Sequence, residues 1–345
     1  MYNNITTTIF VKKILYFAIA AITISCTNRN YTYISDEDFG QTIKLEKTLG
    51  IDALINDVAR MVKIGDEVVV QNFRDSAIFC VYNYKSGEFV RSWGYQGRAD
   101  NEYIFPDIIK LEDEKFAIYD GGKNKMEYYN NTTTLPSKTI KLEPLNLAVN
   151  DMSLIGDNEY VFYFPTPNKT TIYKWEVGKE VIPLPALDVY AERYSDSNSY
   201  AGFIATNENG KFVYAFNYID GFDMFDANGN CIKSIRRKDS NGISAFTGYK
   251  DDESKEDFRV FSFRVHADNE GFYIYRVNHS NSELSESLER TTYIEQFDWE
   301  GCPIRRYEYQ GFIRNFCPLG DGKFIIYDIT SENEALQIYE PTKTN

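Results

Sequence analysis

An all-β fold, a six-bladed β-propeller built from four-stranded blades, is predicted by three observations. A polar turn leading into alternating aromatic and aliphatic residues recurs six times, most recurrences are followed by a second hairpin, and the last unit ends one strand short. The recurrences are GDEVVVQ at Gly65, EDEKFAIYD at Glu112, GDNEYVFYF at Gly156, ENGKFVYAF at Glu208, DNEGFYIYR at Asp268 and GDGKFIIYD at Gly320. Alternation with period two marks strands with one buried face, and self-similarity at this spacing marks a repeat architecture.

Each unit can be justified in chain order. Short apolar runs such as ARMVKI, DIIKL, DMSLI and IRNFCPL precede the turns, and second hairpins such as VYNYKSGEFVRSW, YKWEV, MFDANGNCIKSI and FDWEGCPIRRY follow them. Two hairpins give four strands per unit. The anchors Val68, Phe116, Tyr160, Phe212, Phe272 and Phe324 set the repeat, with longer spacings where loops are inserted. The last unit runs out of chain after ALQIYE, while TIKLEK at Thr42 belongs to no unit. That N-terminal strand is expected to complete blade six, leaving no open edge for other chains to pair with.

Upstream of the repeats, Lys12 and Lys13 precede the 11-residue apolar run Ile14 to Ile24. This is half the ~20 residues that a helix needs to span a bilayer, so residues 1–25 read as a signal peptide. The run ends at Ile24-Ser25-Cys26. A small residue before a cysteine at that place resembles a bacterial lipobox, with Cys26 the lipidated residue and Thr23 a departure from its usual aliphatic position. The expected organisation is a signal peptide over 1–25, a lipidated tether over 26–39 and the propeller over 40–345. The expected address is the cell envelope, as an outer-membrane lipoprotein facing the periplasm or the surface.

Composition supports one large domain. Tyr (27) and Phe (24) supply a large core, and no Pro- or Gly/Ser-rich linker divides the chain. The net charge is −14, and removal of residues 1–25, whose only charges are Lys12 and Lys13, takes it to −16. Such acidity argues against a nucleic-acid partner, which needs Lys and Arg to displace counterions. The one basic run, Lys233, Arg236, Arg237 and Lys238, reads as a strand end. Cys80, Cys231, Cys302 and Cys317 form no CxxC pair and sit in or beside strand-like runs, which favours buried thiols; a single disulfide stays open.

The loop GYQGRADNEY, Gly94 to Tyr103, is followed by Phe105-Pro106-Asp107 and an extended run. A phosphate loop would require a helix N-terminus there, so the loop reads as a blade connector. Together with the six repeats and the lipobox, it resembles the signature of the TolB-like six-bladed β-propeller lipoproteins, over residues 27–345. Ala99-Asp100 departs from the Gly-Pro-like pair of many relatives. The resemblance implies a fold and a compartment, because most of these proteins have no established biochemical role.

No GxSxG, HExxH or multi-histidine set occurs, His266 and His279 being the only histidines. No metal and no cofactor are therefore expected. The run Asp226 to Asn230 has its glycine at the fourth position and reads as a hairpin turn, not a calcium loop. The tripeptide Asp75-Ser76-Ala77 resembles a short bacterial O-glycosylation site, a pattern too short to carry weight. Long insertions at 185–202, 239–257 and 278–292 fall on the blade-to-blade face and carry Tyr194, Tyr200 and Tyr249, which would suit a sugar or protein partner; self-packing of those loops stays open. Counting nine residues back from the anchors selects Asp107, Asp151 and Asn315 near the starts of innermost strands. The expected function is a non-enzymatic envelope lipoprotein that binds a glycan, peptide or protein. The alternative is a hydrolase or lyase that uses these carboxylates at the channel mouth.

Overall fold

The computed structural model describes residues 30–345 except 52, 54, 56, 73–76, 113, 132, 144, 146–148, 167–168, 188–200, 239–258, 269, 288, 332–335 and 343–345. Six antiparallel blades surround a central channel. Blade one is Val58–Ile64, Glu67–Asn72, Phe79–Asn83 and Phe89–Trp93, and blade two is Pro106–Glu112, Lys115–Asp120, Lys125–Asn130 and Lys138–Lys141. Blade three is Asn150–Gly156, Glu159–Thr166, Lys169–Glu176 and Val181–Leu184; blade four is Gly202–Thr206, Phe212–Phe216, Gly221–Phe225 and Cys231–Arg237. Blade five is Arg259–Ala267, Phe272–Ser280, Thr291–Phe297 and Pro303–Gln310, and blade six begins with Ile313–Gly320, Lys323–Asp328 and Leu336–Pro341. The first strand of every blade packs beside the first strands of the two neighbouring blades, which closes the ring.

The anchor positions explain why these segments pair as they do. All six anchors have no solvent exposure (0 %). Each faces a large residue on the third strand: Val68 opposite Tyr82, Phe116 opposite Tyr129, Tyr160 opposite Trp175, Phe212 opposite Phe225, Phe272 opposite Phe297 and Phe324 opposite Tyr339. Several of these pairs stack, with ring centroids 4.7 Å apart for Phe116–Tyr129 and 4.9 Å for Phe212–Phe225. Cross-strand aromatic pairs of this kind fix register and fill the space between blades.

Ring closure involves more of the N-terminus than TIKLEK. The strand Thr42–Ile51 pairs antiparallel with Leu336–Pro341 through Leu45 to Ile51, completing blade six, while Thr42 to Lys44 pair in parallel with Arg306 to Glu308 of blade five. One strand therefore stitches two blades. The segment expected to be a tether carries structure from Tyr31 onward: Tyr31–Ile34 adds a fifth, parallel strand to blade four, and Asp36–Phe39 forms a 3-10 turn. In this segment Asp36 has partners to reach. Its carboxylate meets Arg237 at 2.9 Å and Arg306 at 2.6 Å, and these arginines share Glu295, which also faces Arg276, itself paired with Asp220. Three arginines and three carboxylates balance between blades four and five; of the basic run in the sequence, Arg237 belongs to this network and Arg236 pairs with Asp223 at 2.9 Å.

The connector Gly94 to Tyr103 folds back on itself. Tyr95-Gln96 pairs in parallel with Glu102-Tyr103, and the Glu102 carboxylate accepts the Ala99 N–H at 2.7 Å. Gly94 adopts φ +75°, and a Cβ there would stand 2.9 Å from the Tyr103 ring. Tyr103 is buried edge-on to Phe79 and donates its hydroxyl to Glu127 at 2.6 Å, plugging the seam between blades one and two. Asp226 likewise organises a turn, accepting the N–H groups of Asn228 and Asn230, both at 2.9 Å. Cys80, Cys231, Cys302 and Cys317 are thiols rather than disulfides. Contrary to the expectation of burial, Cys231 and Cys302 are exposed, because both lie where an outermost strand leaves its turn at the perimeter.

Candidate functional site

The central channel holds a funnel of 1450 Å³. Its wall consists of the later residues of all six innermost strands and the turns that follow them, such as Gly65-Asp66, Glu114-Lys115, Gly156 to Asn158 and Asp268. It therefore opens on the face of the first-to-second strand turns, opposite the blade-to-blade loops.

A charged layer forms the floor. Arg60 of blade one lies 2.5 Å through Nε from Asp107 of blade two and 2.6 Å through a terminal nitrogen from Asp151 of blade three. Asp151 takes up a left-handed backbone conformation, φ +51°, at a break in strand register, and its second oxygen accepts the Ile204 N–H of blade four at 2.5 Å. A non-glycine residue in that conformation is uncommon, and here the strain sets a carboxylate between two neighbouring blades. Asn315 of blade six donates to the Ala59 carbonyl at 2.7 Å and accepts the Phe316 N–H at 2.9 Å. Arg264 of blade five lies beside the Phe203 and Phe263 rings, and His266 packs edge-on against Phe316 at 4.7 Å.

Burial governs the protonation of this layer. It raises Asp107 to about 6, against the pull of Arg60 and with a further push from Asp151. Burial lowers Arg264 to about 10, with Asp151 opposing and Arg60 and Arg314 reinforcing the shift, so Arg264 stays cationic at neutral pH. Burial, followed by the Arg264 and Arg60 charges, takes His266 down to about 3, leaving a neutral imidazole. For Arg60, burial pulls downward but the charges of Asp107 and Asp151 more than offset it, and its pKa rises. Two buried nitrogens in the layer, Nε of Arg264 and Nε2 of His266, have no hydrogen-bond partner among the described residues.

The structure thus brings Asp107 and Asp151 onto one arginine and places Asn315 on the same layer, at the base of a funnel open to the turn face. Tyr194, Tyr200 and Tyr249 lie outside the described residues, as does Cys26. Arg60, Arg264 and His266 were not singled out from the sequence. Their signal was the charge in the inner-strand runs ARMVKI and FSFRVHA, at positions where apolar residues would serve a plain barrel wall. Among the described residues no three His, Cys, Asp or Glu side chains converge as a metal site would require.

A family model described as 6-bladed beta-propeller matches residues 41–177, from the closing strand to the end of the third strand of blade three. No curated protein matches the chain. Among solved structures, a protein of Bacteroides fragilis described as exported is similar at 13 % identity and a TM-score of 0.56, covering 92 % of this chain and 99 % of its own. A member of the DUF4221 family from Bacteroides vulgatus is similar at 9 % identity and a TM-score of 0.61, covering 88 % of this chain and 100 % of its own. At such identities the likeness concerns the fold.

Proposed function

We propose that this chain is a TolB-like propeller lipoprotein of the cell envelope, anchored through Cys26, that binds a glycan, peptide or protein partner without transforming it. The observation that carries the binding role is the 1450 Å³ funnel with unpartnered polar groups at its floor. A concave site with a few convergent polar groups is the usual form of a ligand pocket. Envelope residence is supported by the lysine-flanked apolar run ending at Cys26 and by the likeness to a protein described as exported. No helix among the described residues is long and apolar enough to cross a membrane.

One observation favours the alternative, a hydrolase or lyase: Asp107, raised to about 6, has the protonation behaviour of a general acid or base. Its carboxylate is nevertheless held by Arg60, and Asp151 is held by Arg60 and Ile204, so both are committed to joining blades. The test is affinity capture of the full chain from its native envelope, run beside Cys26→Ser and Ser153→Trp. Cys26→Ser should move the chain to the soluble fraction or leave an uncleaved precursor, since stable anchoring needs more than one acyl chain. Ser153→Trp places an indole on the funnel wall and should abolish recovery of the partner. A processed, firmly membrane-bound Cys26→Ser chain refutes the anchor; a partner retained by Ser153→Trp refutes the funnel.

A further inference from the structure

The funnel floor carries a cation with no direct ion pair among the described residues. Arg60 is shared by two carboxylates, whereas Arg264 has no carboxylate within 4.0 Å among the described residues. Among the described residues its buried Nε has no acceptor, and two residues along the same strand the buried Nε2 of His266 has no partner. The Phe203 and Phe263 rings, 4.9 and 5.8 Å from the guanidinium carbon, hold the side chain in place. A buried charge without a counter-ion is costly, and a guanidinium presents paired N–H donors that match the two oxygens of a carboxylate.

The mouth of the funnel has the opposite sign. Asp66, Glu114, Asp157, Glu208, Asp268 and Glu270 line the funnel beyond its floor and outnumber Lys63, Lys110 and Lys115 there. Asp66 is paired with Lys85 at 2.7 Å. A wholly anionic ligand, such as an acidic sugar, meets repulsion at this mouth before it reaches Arg264. A chain with one terminal carboxylate and cationic groups behind it is attracted at both ends. Depth matches as well: four residues of strand separate Arg264 from Asp268, roughly 13 Å at 3.3 Å per residue, the length of four extended peptide residues.

We infer that Arg264 seats the C-terminal carboxylate of a peptide that enters the funnel from the turn face, with basic residues of that peptide lying against the acidic mouth. This assignment rests on the binding role proposed above and specifies its ligand. Neutral His266 stands beside the seat and can hydrogen-bond the bound carboxylate or the last peptide group.

Calorimetric titration of the full chain in detergent with the tetrapeptide Lys-Lys-Ala-Ala, as its free acid and as its C-terminal amide, tests the assignment without any mutation. The free acid should bind at least tenfold more tightly than the amide. In Arg264→Gln the two forms should converge, and Arg264→Lys should keep part of the preference. Equal binding of acid and amide by the natural chain, or a preference that survives Arg264→Gln, overturns the assignment, as does tighter binding of digalacturonate than of the free-acid peptide. If Ser153→Trp loses an envelope partner while neither tetrapeptide form binds the natural chain, the carboxylate seat fails and the binding role stands.

Discussion

Asp107 and His266 show how a single layer can pull stability in opposite directions with pH. The Asp107 carboxyl titrates near 6 in the folded chain against an ordinary value of 3.8. Between those values the folded state keeps a proton that the unfolded state has released, so this group's contribution to stability falls as pH rises through that window. Its side chain is 21 % exposed, and the whole effect is on the order of 2–3 kcal/mol. His266 has the opposite sign: its folded value of about 3 lies below the ordinary 6.5, so its contribution is complete above 6.5 and is lost as pH falls toward 3. Asp107→Asn should therefore gain stability relative to the natural chain as pH rises from about 4 to about 6. Thermal melts of both proteins across this range check the prediction; parallel profiles would show that Asp107 titrates normally. The anchor-counting rule reached Asp107, Asp151 and Asn315 because each of those inner strands carries an extra residue at a register shift beside the turn, which sets these residues nine back from their anchors. It missed Arg60 and Arg264 because no such extra residue lies between them and their anchors, so they stand one residue nearer than the count assumes. The count lands instead on Ala59 and Phe263, and no local sequence signal announces a bulge of this kind.

The closing strand shows the same boundary between pattern and context. Its role in blade six was legible because the last unit lacked a strand and TIKLEK lacked a unit. Its continuation to Ile51, and its parallel contact with blade five, depend on partners more than 250 residues away that no periodicity reveals. Ile51 is fully buried (0 %) in the core shared by blades one and six, packed among residues such as Val58, Val68, Leu336 and Ile338. Ile51→Ala should cost about 2–4 kcal/mol through lost burial and the cavity left behind. Glu46→Ala, at an exposed position of the same strand, should change stability by less than about 0.5 kcal/mol. Chemical denaturation of the two variants makes the comparison. Equal and small effects would mean that the strand is an appendage and not part of the ring.

At the scale of the whole molecule, the ring of blades produces what no single blade has: a channel wall made of six first strands, with an acidic mouth and a floor on which Arg264 has no direct ion pair among the described residues. The fold was readable because each blade repeats one turn and one pair of facing large residues, and repetition amplifies a weak local pattern. The funnel was not, since its shape depends on how all six inner strands lean around a common axis. The most direct test of its role is native mass spectrometry of the full chain extracted gently from its own cells, beside Ser153→Trp prepared in the same way. The natural chain is predicted to carry an unmodified bound molecule in stoichiometric amount, and Ser153→Trp to appear at its own mass alone. A natural chain that appears bare, or a bound molecule that persists when the funnel is filled, would contradict the account.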